Sequence, residues 1–142
     1  MSLNPALERR FTHPARVYWE DTDAGGIAYY ANVLRWFERA RTEYFRSLGV
    51  SQHRLLAEAR ALFVVVEARV RYHGPARLDD VLSLSVAVAR RGRASLVVEQ
   101  EALCVDRGEE RLVATGTIRL GCVDSGTFRP RPIPSHILER LQ

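Results

Sequence analysis

Apolar residues recur along the chain with two different periods, and the change from one to the other divides it. From about Asn32 to Leu48, Val33, Phe37, Ala40, Tyr44 and Leu48 follow one another at steps of four and three, with Arg35, Glu38, Arg39, Glu43 and Arg46 between them. Such steps put side chains on one face of a helix with about 3.6 residues per turn, so this stretch predicts one long amphipathic helix. Gly49 stands where a left-handed C-terminal cap is expected. Arg39 and Glu43 are spaced for an exposed i,i+4 ion pair. A short helix is expected over residues 51–60.

Beyond it the period falls to two. Val66, Ala68, Val70 and Tyr72 alternate with Glu67, Arg69 and Arg71, the mark of a half-buried strand. Gly74–Pro75 and Asp79–Asp80 interrupt the pattern, Val81 to Ala89 resumes it, and Arg91–Gly92 turns the chain into a strand from about Ala94 to Val105. Asp106–Arg107–Gly108–Glu109 reads as a hairpin turn. Leu112, Ala114, Gly116, Ile118 and Leu120 then alternate with Thr115, Thr117 and Arg119 in a last long strand. Upstream, residues 1–14 are polar and contain proline, and Arg16–Val17–Tyr18–Trp19 predicts a short early strand. Pro130, Pro132 and Pro134 end the sheet, and Ser135 is expected to cap a terminal helical turn. One early strand, one dominant helix and a run of hairpins imply an α+β domain: an antiparallel sheet covered by the helix through Trp36, Phe37, Tyr44 and Phe45.

Composition sets the class. The 142 residues are 46% hydrophobic and 27% charged, as in a single globular domain spanning 1–142. The net charge is +4, all 21 basic residues are Arg, and they are interspersed with acids. That scatter argues against a nucleic-acid binder, while the modest net positive charge would suit an anionic substrate. Cys104 and Cys122 lack the spacing of thiolate metal sites or redox pairs and are expected to be buried, reduced thiols. His13, His53, His73 and His136 show no ligand spacing, so no metal is expected. No apolar stretch suggests a secretion signal or the roughly 20 residues a membrane span needs, so stable membrane insertion is not expected and a cytoplasmic location is. No Gly-x-Ser-x-Gly elbow or nucleotide-binding glycine fingerprint occurs.

Candidate chemistry concentrates between the early strand and the long helix, in Glu20–Asp21–Thr22–Asp23–Ala24–Gly25–Gly26–Ile27–Ala28–Tyr29–Tyr30–Ala31–Asn32. Such a loop can hold a carboxylate beside the first free N–H groups of a helix, which carry partial positive charge. Glycines admit a substrate close to the backbone, and free N–H groups can bind the oxyanion that forms on an attacked carbonyl. The same residues also suit an ordinary turn with helix-capping acids. A calcium loop is excluded, because Asn32 stands where a bidentate Glu is required and Gly25 replaces another ligand.

The stretch RVYWEDTDAGGIAYYANVLRWFERARTEYFRSLGV resembles the opening of the YbgC-like and 4-hydroxybenzoyl-CoA-type acyl-CoA thioesterases. The resemblance includes Asp21, Asp23, Gly25–Gly26, Tyr29–Tyr30 and the Glu38–Arg39–Ala40–Arg41 helix body, and continues through Gly74–Pro75–Ala76–Arg77–Leu78–Asp79–Asp80 and Arg91–Gly92. It implies a hot-dog fold, in which a five-stranded antiparallel sheet wraps one long central helix. It also implies homodimers or homotetramers with interface active sites, and hydrolysis of acyl-CoA to free acid and CoA. By the same resemblance Asp23 is the catalytic carboxylate, the backbone N–H at Tyr30 polarises the thioester carbonyl, and Asp21 is structural. Gly26, Tyr29, Ala31 and Asn32 would meet substrate, Phe63 and Val65 would line the acyl pocket from the partner subunit, and Arg91 and Arg93 would hold the nucleotide end of CoA. Many YbgC-like members carry His where this chain has Tyr30, so a proton-transfer role there is not carried over.

A thiolate leaves readily, its parent thiol having a pKa near ~8.5, so one carboxylate can suffice. It would serve as general base on water or as nucleophile through a mixed anhydride. No cofactor is expected, coenzyme A being part of the substrate; an acyl carrier protein is the other conceivable carrier. The competing function is non-catalytic: an acyl-thioester-binding or scaffold protein associated with phospholipid enzymes or the Tol-Pal machinery.

Overall fold

The structure, a computed structural model, describes residues 10–141. In chain order it contains β1 (Phe11–Arg16), α1 (Asn32–Ser47), α2 (Gln52–Ala59), β2 (Ala61–Tyr72), β3 (Val81–Arg91), β4 (Ser95–Asp106), β5 (Glu109–Asp124) and α3 (Ser135–Leu138), with a 3₁₀ turn at Trp19–Asp21. The five strands form one antiparallel sheet in the order β1-β3-β4-β5-β2. Strands β1 and β2 are therefore its edges.

Alternation along the strands sends one set of side chains toward α1. Leu82, Leu84 and Val86 of β3, Leu96, Val98 and Ala102 of β4, and Ala114, Ile118 and Leu120 of β5 are buried with Val33, Trp36, Phe37, Ala40, Tyr44 and Phe45 of the helix. Wrapping a twisted sheet about one helix demands close approach somewhere, and Gly116 supplies it: a Cβ there would lie 2.6 Å from Phe37 Cε2. One polar network is sealed in this core. Gln100, 1% exposed, donates through Nε2 to the Phe37 carbonyl at 3.0 Å and accepts from Arg41 Nη1 at 2.9 Å. Burial pulls the Arg41 pKa below its usual value, and the nearby charge of Glu38 works against that fall.

Several local expectations hold. Gly49 adopts φ +77° after α1, Arg107 and Gly108 take φ +52° and +80° in the β4–β5 hairpin, and Cys104 and Cys122 are buried free thiols. Three expectations are corrected. The early strand is Phe11–Arg16 instead of residues 16–19, and thus includes part of the segment read as merely polar; residues 1–9 of that segment lie outside the described residues. Pro14 is tolerated because β1 is an edge strand. After Arg16 the chain leaves the sheet, since the Tyr18 amide is taken by the Asp21 carboxylate in the 3₁₀ turn. Glu43 pairs with Arg46 one turn on, and not with Arg39. Ser135 begins α3 without a side-chain cap, Pro134 occupying the N-cap position. Among the described residues no helix is long and apolar enough to cross a membrane.

Candidate active site

The acidic loop folds into a small hairpin stitched to the first turn of α1. Thr22 and Ala28 pair antiparallel, the Asp23 N–H donates to the Ile27 carbonyl at 2.8 Å, and the Gly26 N–H donates to the Asp23 carbonyl at 3.0 Å. Gly26 takes φ +79° to close this turn, a conformation that favours glycine. The chain thus reverses within a few residues and delivers Tyr29 back to Asp21, where its N–H donates to the Asp21 carbonyl at 2.7 Å.

The two aspartates divide the work. Asp21 is fully engaged: Oδ2 accepts the Tyr18 N–H at 2.8 Å, while Asn32 Nδ2 donates to both Oδ1 and the backbone oxygen at 3.2 Å. Asn32, the first residue of α1, is itself buried, so its amide locks loop to helix and is not offered to a substrate. Asp23 is exposed, and among the described residues only its Oδ1 is held, by the Gly25 N–H at 2.8 Å. Its second oxygen has no partner among the described residues.

Two backbone donors stand open at the head of the helix. Among the described residues neither the Tyr30 N–H nor the Ala31 N–H has an acceptor, whereas the amides of Ala28, Tyr29, Asn32 and Val33 all do. Both peptides are backed by donors on their carbonyl side, because the Tyr29 carbonyl accepts the Asn32 N–H at 2.9 Å and the Tyr30 carbonyl accepts the Tyr72 hydroxyl at 2.8 Å. The Tyr72 hydroxyl was not foreseen as part of this region. Its signal was the end of the β2 alternation, where a polar-tipped aromatic follows Val70 on the helix-facing side. Burial raises the Tyr72 pKa above that of a free phenol, with Tyr30 adding to the rise, so the hydroxyl stays a donor. Beside it lies an apolar recess of about 490 Å³ walled by Ile27, Tyr30, Val33, Trp36, Tyr72 and Val113.

The structure gathers Asp23, Gly26, Tyr29, Tyr30, Ala31 and Asn32 at one end of the fold and leaves the other expected residues at the far end. Phe63 stacks on Phe45 with ring centroids 5.5 Å apart, at the opposite end of β2 from Tyr72, and Val65 is 52% exposed on that edge strand. Arg91 spends its guanidinium on the carbonyls of Leu138 and Leu141, at 3.2 and 2.7 Å. Arg93 is exposed beside it, its carbonyl accepting from the Ile133 N–H at 2.9 Å. The start of β3 is tied to the loop region by the Val17 N–H bond to the Asp80 carbonyl at 2.9 Å. Its end at Arg91 is therefore about 30 Å away, at roughly 3.3 Å per residue.

A five-stranded antiparallel sheet wrapped on one long helix is the hot-dog architecture, and the acidic hairpin at the helix head is the feature it carries here. Residues 17–141 match the Thioesterase-like superfamily, and the chain belongs to that family. It is 38% identical over 131 residues to the acyl-CoA thioesterase YbgC of Haemophilus influenzae, covering 92% of this chain and 93% of that one. It is 41% identical over 132 residues to the acyl-CoA thioester hydrolase YbgC of Escherichia coli O6:H1, covering 93% and 96%. The fold is shared with a 4-hydroxybenzoyl-CoA thioesterase variant solved in complex with 4-hydroxybenzoyl-CoA, at a TM-score of 0.87 with 23% identity, over 94% of this chain and 99% of that one.

Proposed function

We propose that the protein hydrolyses acyl-CoA thioesters, with Asp23 activating the attacking water and the Tyr30 and Ala31 amides receiving the oxyanion. One observation carries this reading: the hairpin bearing Asp23 is sewn through Asp21 and Asn32 to a helix turn that leaves two N–H groups without an acceptor among the described residues. In the reaction the water oxygen bonds the thioester carbonyl carbon while its proton passes to Asp23. The carbonyl oxygen gains the negative charge and is stabilised by the two amides, as backbone donors stabilise other acyl-transfer intermediates. Collapse of the tetrahedral intermediate breaks the C–S bond and releases CoA thiolate, which takes the proton. The two YbgC relatives named for this activity support the same reading.

The site is completed, on this proposal, by a second copy of the chain. Strand β2 is an edge with Val65 and Val66 at 52% and 60% exposure, and an apolar edge strand invites a pairing partner. Two β2 edges meeting antiparallel about a two-fold axis would bring the partner's Phe63 and Val65 to the Tyr72 end, next to Asp23. The acyl group would then lie between those side chains and the apolar recess.

The experiment is thiol release from a panel of short, long and aromatic acyl-CoAs. The purified wild type is expected to turn over at least one class. Asp23→Asn should lower kcat by about a hundredfold or more, with circular dichroism and oligomeric state unchanged. An Asp23→Asn protein as active as the wild type would refute this assignment.

A further inference from the structure

Tyr72 makes a contact that packing alone does not require. The first turn of α1 is wound tightly: the Leu34 N–H bonds the Ala31 carbonyl three residues back at 3.1 Å, so the Tyr30 carbonyl lacks the usual partner four residues on. What the helix offers that oxygen is the Val33 N–H at 3.4 Å, a long bond. Tyr72, the last residue of β2, reaches across from the sheet and fills the gap with its hydroxyl at 2.8 Å, while its ring meets the Tyr30 ring edge-on at 6.1 Å between centroids.

That carbonyl belongs to the same peptide group as the Ala31 N–H. A donor on the oxygen of a peptide draws electron density away from its nitrogen and makes its N–H a stronger donor; hydrogen bonds in series reinforce one another. We propose that Tyr72 is a positioning residue for thioester hydrolysis, its hydroxyl fixing and polarising the Tyr30–Ala31 peptide so that the Ala31 N–H is aimed and strengthened as an oxyanion donor. This inference rests on the reaction proposed above and names a group outside the loop that tunes it. The coupling has a direction. As charge grows on the substrate oxygen, it pulls on the Ala31 N–H, the Tyr30 carbonyl becomes more negative, and the bond from Tyr72 tightens. The interaction is thus greater in the transition state than in the bound ground state, which places its effect on kcat and not on KM.

The test uses the full chain with benzoyl-CoA and butanoyl-CoA as probes. Tyr72→Phe keeps the ring and its contact with Tyr30 and removes only the hydroxyl. It is expected to lower kcat roughly three- to tenfold, with KM within about twofold of the wild type. Replacing Tyr72 by 3-fluorotyrosine, a stronger phenolic donor of nearly the same shape, is expected to leave kcat equal or higher at neutral pH. A second readout is the carbonyl stretch of benzoyl-CoA bound to Asp23→Asn, measured by isotope-edited Raman spectroscopy. Adding Tyr72→Phe to that background should move the band toward its position in free benzoyl-CoA. A merely structural Tyr72 would leave the band in place, and an unmoved band or an unchanged kcat overturns the proposal. If that happens while Asp23→Asn is inactive, Tyr72 is dismissed and the hydrolytic reading stands. A wild type that releases no thiol from any acyl-CoA sinks both.

Discussion

Asp21 and Asp23 lie two residues apart and have the same side chain, yet only one is free to do chemistry. The difference lies in what surrounds each carboxylate: among the described residues Asp21 accepts from the Tyr18 amide and the Asn32 side chain, while Asp23 accepts from Gly25 alone. Asn32→Ala should therefore loosen the latch, leaving Asp21 with one donor fewer inside a partly buried loop. The expected loss is about 1–2 kcal/mol in urea unfolding, together with a lower kcat/KM in the thiol-release assay as the hairpin drifts from the helix. The loop's chemical character was legible in its acids and glycines, and resemblance selected Asp23 from among them. The real employment of Asn32 was not legible, because it depends on a hairpin that swings Asp21 over the helix start. Arg41 and Gln100 were equally opaque. A charged residue on a helix and an amide on a strand betray nothing in sequence of their meeting in the core.

Among the elements, β2 and β5 run further than their alternation announces. Ala61 to Val65 are apolar without a break, so no period of two marks them, and a register shift between Val65 and Glu67 interrupts the pattern further on. Tertiary pairing with Leu120 to Asp124 makes this segment a strand. The contact between α1 and β5 gives a sharp test. Gly116→Ala would drive a methyl group into Phe37, and overpacking of this kind is expected to cost about 1–3 kcal/mol, read from the urea midpoint. The turn after β5 gives another. Asp124 Oδ1 accepts the Gly126 and Thr127 amides at 2.9 and 3.0 Å, and these backbone donors, Thr127 first, hold its pKa below the usual carboxylate value. A carboxylate whose folded pKa is depressed contributes stability that is fully present above its unfolded pKa, near ~3.9, and lost as pH falls through the lower folded value. Asp124→Asn should accordingly show a shallower loss of melting temperature between about pH 5 and pH 3 than the wild type.

At the scale of the whole molecule, the described residues place a loop with a carboxylate and two open amides at one end of the chain's fold, and Phe63, Arg91 and Arg93 at the other. Sequence alone could not distribute residues between the two ends of a sheet, and periodicity says nothing of which edge remains unpaired. The exposed β2 edge resolves the separation if two chains lie side by side in opposite directions. Val65→Arg, placing a charge on that edge, is expected to yield a folded monomer by light scattering, with thiol release reduced at least tenfold.

The far placement of Phe63 has a kinetic corollary. On the proposed assembly a lone chain owns half of each working cleft, and catalysis is a property of the encounter between two chains. Activity per milligram should then collapse on dilution through the dissociation constant of the pair and return on concentration, a behaviour that no self-sufficient protomer would show.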